Sequence, residues 1–216
     1  MEMYMRKAKL TQAVTWITLC CMLLIVSSNT ISHTSQAEES EVAERLSSSA
    51  AKKVIAVRAR EVMWALRNKN MLQLSAFVHP EKGMRFSPYA YVDGRKDLTF
   101  SGKSVRNLLS NKRQYTWGNY DGSGDPIRLS FAQYYARFVY NRDFYRAREV
   151  GYNRMIGKGN STNNITETYP EAITVEYYIP GTRRHQGMDW ASLRLIFEEK
   201  NGAWYLVGIG HDEWTI

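Results

Sequence analysis

Residues Trp190–Trp214 read WASLRLIFEEKNGAWYLVGIGHDEW, and the fold is decided there. Leu193, Leu195 and Phe197 alternate with other residues, as a strand with one apolar face requires. Asn201-Gly202 follows, and both residues tolerate the positive φ of a two-residue type I′ turn. The stretch therefore predicts a β-hairpin in which Lys200 faces Ala203 and the numbers of paired residues sum to 403. In that register Ala191, Leu193, Leu195 and Phe197 share a face with Trp204, Leu206, Gly208, Gly210 and Trp214. The other face holds Trp190, Ser192, Arg194 and Ile196 with Tyr205, Val207, Ile209, His211 and Glu213. Ser192 then faces His211, and Trp190 faces Glu213.

Upstream, Ile173, Val175, Tyr177 and Ile179 alternate as a further strand. Val54, Val57, Val62 and Leu66 form an apolar stripe at helical spacing, and a short helix over Met71–Val78 stops before His79-Pro80. Met84–Val92, Asp97–Phe100 and Gln114–Gly118 look extended, with a short helix capped by Ser101 or Ser104 between the last two. Asp121–Pro126 is rich in turn residues, Ser130 caps a helix through Val139, and Gly151–Thr168 reads as a long loop. Helices followed by strands predict an α+β fold: N-terminal helices packed on a curved, mostly antiparallel sheet that ends in a long β-hairpin.

The chain has 216 residues and a net charge of +8, with 44% hydrophobic and 23% charged residues, the balance of one globular domain. No run of 18 apolar residues appears, which excludes a polytopic membrane protein. Arg6, Lys7 and Lys9 precede an apolar stretch, Ala13–Val26, and Ser35-Gln36-Ala37 offers small residues for a signal peptidase. Residues 1–37 are thus read as a signal peptide or an uncleaved N-terminal anchor, 38–53 as a polar stalk and 54–216 as a single domain. The expected location is outside the cytoplasm, secreted or anchored to the outer face of the cytoplasmic membrane. Both cysteines lie in the leader, so the domain has no thiol for a disulfide, a nucleophile or a metal. Loss of the leader leaves 26 basic against 20 acidic residues, a net charge of +6.

Motifs for hydrolase or metal chemistry fail on spacing. Asp121–Asp125 starts like a calcium loop, but Pro126 and Ala132 stand where glycine and glutamate are needed. Gly151–Lys158 is one residue too long for a phosphate loop, and Gly159 replaces its Ser or Thr. Ser49–Lys52 matches the serine-lysine pattern of penicillin-binding enzymes without its partner motifs. The histidines show no zinc spacing, and no cofactor or metal is expected.

Two sets of residues remain. Tyr134–Arg154 interleaves aromatic residues with Arg137, Arg142, Arg146, Arg148 and Arg154, a pattern for an anionic surface or for the solvated face of an amphipathic helix. In the hairpin, Trp190, Ser192, Arg194, Tyr205 and His211 gather as a ligand-binding set, in which His211 and Glu213 can form an acid-base pair.

From about Glu61 onward, HPEKGMRFSPYAYVD (His79–Asp93), YTWGNYDGSGDPI (Tyr115–Ile127), EVGYN (Glu149–Asn153) and the end from Gly187 resemble a family of uncharacterised exported proteins of Gram-positive bacteria. That resemblance implies no activity. The order of elements is also similar to the cone-shaped α+β fold of the nuclear-transport-factor and cystatin-like superfamily, whose members include carriers, enzymes and structural modules. The expected function is non-enzymatic binding of a ligand, an anionic wall polymer, a lipid surface or a protein partner, with no nucleic acid. A cone-fold enzyme using acid-base chemistry in a pocket is the alternative.

Overall fold

The computed structural model describes residues 45–215, so the expected signal or anchor segment and the first part of the stalk, 38–44, lie outside the described residues. Helix α1 (Ser48–Arg67) begins inside the expected stalk, where the Ser47 side chain accepts from Ala50 N at 3.3 Å. It buries Ile55, Ala59, Val62, Met63 and Leu66 along one stripe. Lys69, at φ 52°, turns the chain, and the side chain of Asn70 caps α2 (Met71–Phe77) by accepting from Gln73 N at 3.0 Å. The chain leaves the helical region at Val78, just before His79-Pro80.

Strands β1 (Met84–Ser87) and β2 (Leu98–Phe100) follow, then the single turn of α3 (Gly102–Val105) capped by Ser101. Strands β3 (Gln114–Asn119) and β4 (Pro126–Ser130) form a separate two-stranded sheet. Ser130 and Gln133 form a reciprocal capping box for α4 (Phe131–Tyr134), which widens into a π-helical turn over Tyr135–Val139. The helix ends there, and Tyr134–Arg154 continues as a 3₁₀ turn (Phe144–Arg146) and strand β5 (Glu149–Tyr152) instead of one amphipathic helix. After the short α5 (Ile165–Thr168) come β6 (Ile173–Ile179), β7 (Ala191–Lys200) and β8 (Ala203–Glu213).

The main sheet has six strands in the order β2-β1-β8-β7-β6-β5. All pairs are antiparallel except β1 with β8, so the sheet is mixed and the fold is α+β. One sheet face packs Phe86, Leu193, Leu195, Phe197 and Ile209 against α1, α2 and the β3–β4 unit. Its centre is aromatic: Trp117 stacks on Tyr134 at 3.9 Å, and Phe86 meets both edge-on. The second face is covered as well, by Val92, Ile165 and Ala172 over Ile196 and Val207. Two covered faces allow one sheet to carry a core on one side and a polar site on the other.

Candidate functional site

The hairpin holds its expected register only from Lys200↔Ala203 to Phe197↔Leu206. Val207 is then an extra residue, a bulge, after which Ile196 pairs with Gly208, Leu193 with His211 and Ser192 with Asp212. The expected Ser192–His211 and Trp190–Glu213 pairings are therefore corrected: His211 and Glu213 turn to the helix side with Leu193 and Ala191. Gly208 and Gly210, two residues apart in one strand, are the sequence signal for such an irregularity.

His211 is fully buried, with the ring of Phe138 edge-on at 5.9 Å and Asn141 Nδ2 3.1 Å from Nε2. Burial, and secondarily the Arg137 and Arg194 charges, pushes its pKa down to about 3. Glu213 pairs with Arg137, while its Oε2 lies 3.8 Å from His211 Nε2. Such a neutral, enclosed imidazole serves packing better than proton transfer to a ligand. Tyr205 sits toward the turn, edge-on to His79 at 5.8 Å.

Ser192, Arg194 and Trp190 do come together, but around a loop of the chain. A buried row of Glu176, Arg194 and Asp212 crosses β6, β7 and β8 on the second face. Glu176 accepts from Ile156 N (2.6 Å), Gly157 N (3.0 Å) and the Ser192 hydroxyl. Arg194 donates to Glu176 (3.1 Å) and to the Gly157 carbonyl (3.0 Å). Arg194 Nη1 also lies 2.8 Å from Asp212 Oδ2, at an angle poor for a hydrogen bond. A Cβ on Gly157 would come within 2.7 Å of Trp190, so only glycine lets this loop lie against the indole. Glu176 and Asp212, which the hairpin reading passes over, complete this clasp.

The five arginines are dispersed in their bonding. Arg137 pairs with Glu213, Arg142 donates to the Asp189 carbonyl at 3.2 Å, and Arg146 lies 3.6 Å from Asp143. Arg148 and Arg154 are exposed on either side of β5.

A cleft of about 530 Å³ opens where the Pro88–Asp97 segment, the β3–β4 hairpin and residues 160–162 meet. Tyr89, Tyr91 and Tyr120 give it aromatic surface, and Asp93, Asp97 and Asp121 give it carboxylates, with Lys96 beside them. Tyr91 is 51% exposed, whereas Tyr89 and Tyr120 rest on Phe138. Asp121 ties the walls together: its N–H donates to the Tyr89 hydroxyl at 3.1 Å, and its carboxylate accepts from Thr215 and Ser161.

Asp97 is the unusual group. It is buried, accepts from Asp93 N at 2.9 Å and from the Ser87 hydroxyl, and burial pushes its pKa up to about 6. Asp93, half-buried and accepting from Arg95 N, is held below the usual carboxylate range. The cleft thus joins phenol faces, a carboxylate near neutrality and side-chain amides, donors and acceptors suited to hydroxyl groups. Among the described residues no cluster of His, Asp or Glu is arranged to hold a metal ion, and no helix is long and apolar enough to cross a membrane. Comparison of the chain with protein-family models, curated proteins and solved structures finds no match.

Proposed function

We propose that this chain is an exported binding domain that takes a neutral, hydroxyl-rich ligand, such as an oligosaccharide, in the Tyr91–Asp97 cleft. The observation that carries this reading is the lining: the exposed Tyr91 face and the half-buried Tyr89 and Tyr120 offer aromatic surface to the C–H faces of sugars, while Asp93, Asp97 and Asn160 bond hydroxyls. Three carboxylates against Lys96 make the cleft a poor seat for an anionic polymer. Two of the four stretches that carry the family resemblance, His79–Asp93 and Tyr115–Ile127, contribute walls to it. Export rests on the leader-like residues 1–37, and helices lying on one face of a sheet that ends in a long hairpin support the cone-like reading.

An acid-base enzyme is the second reading. The neighbouring carboxylates Asp93 and Asp97, driven apart in pKa by their surroundings, favour it over the buried His211–Glu213 pair. Titration calorimetry with neutral oligosaccharides tests binding. Tyr91→Ala is expected to weaken affinity about tenfold, a loss in the range of one aromatic contact. Retention on anionic polymer at low salt with no neutral glycan bound would overturn the proposal.

A further inference from the structure

The outer side of α1 carries an apolar stripe away from the core. Val57 is 76% exposed, Val54 47% and Trp64 43%, and Leu72 of α2, at 56%, is exposed as well. Val57 and Trp64, two turns apart, lie on the side of the helix opposite Ile55, Val62 and Leu66, so they are not edges of the buried stripe. Between Val57, Trp64 and Tyr145 lies a mostly apolar groove of about 450 Å³.

Lys53, Arg60 and Arg67 repeat at the same seven-residue spacing along one flank of this stripe. Arg60 lies over the Tyr145 ring at 4.4 Å, and Arg67 lies over the same ring at 5.1 Å and pairs with Asp143 at 3.5 Å. Glu61, the one acid within the stripe, is 3.4 Å from Arg58 and so partly neutralised. A central tryptophan and valines beside a row of cations is the composition of a helix that lies in a lipid interface. A second copy fits badly. Packed stripe to stripe in an antiparallel pair, Lys53, Arg60 and Arg67 would meet their own copies, and like charges repel across such a seam.

We propose that this face of α1 docks on an anionic lipid surface, with Val57 and Trp64 entering the interface and Lys53 and Arg60 facing the headgroups. The docking face is distinct from the Tyr91–Asp97 cleft and does not depend on what the cleft binds.

The test uses the full chain in vesicles whose acyl chains carry bromine, a contact quencher of tryptophan. Subtracting the Trp64→Phe variant isolates the Trp64 signal from the other five tryptophans. In phosphatidylglycerol vesicles the Trp64 difference signal should be quenched, roughly twofold more than in phosphatidylcholine vesicles. Lys53→Gln with Arg60→Gln, both exposed and so compatible with folding, should return the signal to the phosphatidylcholine level. Equal quenching of wild type and Trp64→Phe in anionic vesicles would overturn the proposal. So would concentration-dependent shielding of Trp64 without lipid, the sign of a second copy on this face.

Discussion

Replacing Asp97 by Asn should make the domain more stable at neutral pH and remove a specific part of its pH dependence. The folded pKa of Asp97, about 6, lies above its ordinary 3.8, so the native state binds the proton more tightly than the unfolded chain does. Its stabilising contribution is therefore complete below the unfolded value and is lost as pH rises through about 6. A shift of roughly two pH units corresponds to about 3 kcal/mol at 1.36 kcal/mol per unit. Asn retains an oxygen to accept from Asp93 N and Ser87, so the substitution removes the ionisation and little else. His211 acts in the opposite sense. Its folded pKa is depressed from 6.5 to about 3, so it stabilises above 6.5 and costs about 1.4 kcal/mol per unit as pH falls below that. In the wild type the two slopes nearly cancel between pH 4 and 6, and only the difference between wild type and Asp97→Asn isolates Asp97. Urea unfolding of both proteins from pH 4 to 7.5 measures it. The Asp97→Asn variant should gain about 3 kcal/mol on wild type across that range, with an unchanged m-value. A difference that stays flat with pH would refute the assignment of a raised pKa to the buried Asp97 carboxyl at the cleft.

Two further outcomes follow from the clasp. Arg194→Met leaves Glu176 and Asp212 buried without their cation, and loss of one partner of a buried pair costs about 3–5 kcal/mol. For a domain of this size thermal melts should fall by roughly 6–20 °C, and Glu176→Gln added to that variant should restore part of the loss. Gly157→Ala puts a methyl 2.6 Å from Ser192 Oγ and 2.7 Å from Trp190, and overpacking of that kind costs about 1–3 kcal/mol. Hydrogen exchange at Ile156 and Gly157 amides should rise tenfold or more in it, and an unchanged rate would mean that the clasp does not hold the loop.

The features written in short stretches of sequence were legible, and those made by distant segments were not. Asn201 and Gly202 sit at φ 53° and 79°, as their turn requires, and Ser101, one of the two expected caps, and Ser130 both cap their helices. Strand β5 hides inside the aromatic and basic run Tyr134–Arg154, because four residues at a sheet edge leave too short a period to separate from a helix. The parallel pairing of Arg85–Ser87 with Gly208–Gly210 has no local signature at all. Glu176 occupies the polar position of an alternating strand and reads as solvated, yet the loop that lies over it buries it. The cleft draws on three separate segments, so its tyrosines and carboxylates are visible in the sequence but their meeting is not.

The bulge at Val207 reconciles the hairpin with both of its faces. In the unbroken register Gly208 and Gly210 would face the helices and leave gaps in the core, and Asp212 would turn inward beside Ala191. One extra residue exchanges these positions. Ile209 enters the helix-side core next to Phe86, Val207 joins Ile196 on the second face, and Asp212 lands beside Arg194. The acid that would have been an uncompensated charge in an apolar core becomes the third member of the Glu176–Arg194–Asp212 row. That row fixes the backbone at Ile156 and Gly157, and the same loop runs on to residues 160–162, which wall the cleft. Asn160 closes the link, since its amide donates to the Thr215 carbonyl at 2.7 Å while the Thr215 hydroxyl bonds Asp121 on the opposite wall. The shape of the cleft is thus set by a strand irregularity on the far side of a polar clasp, and residues of the hairpin govern the site by holding its walls.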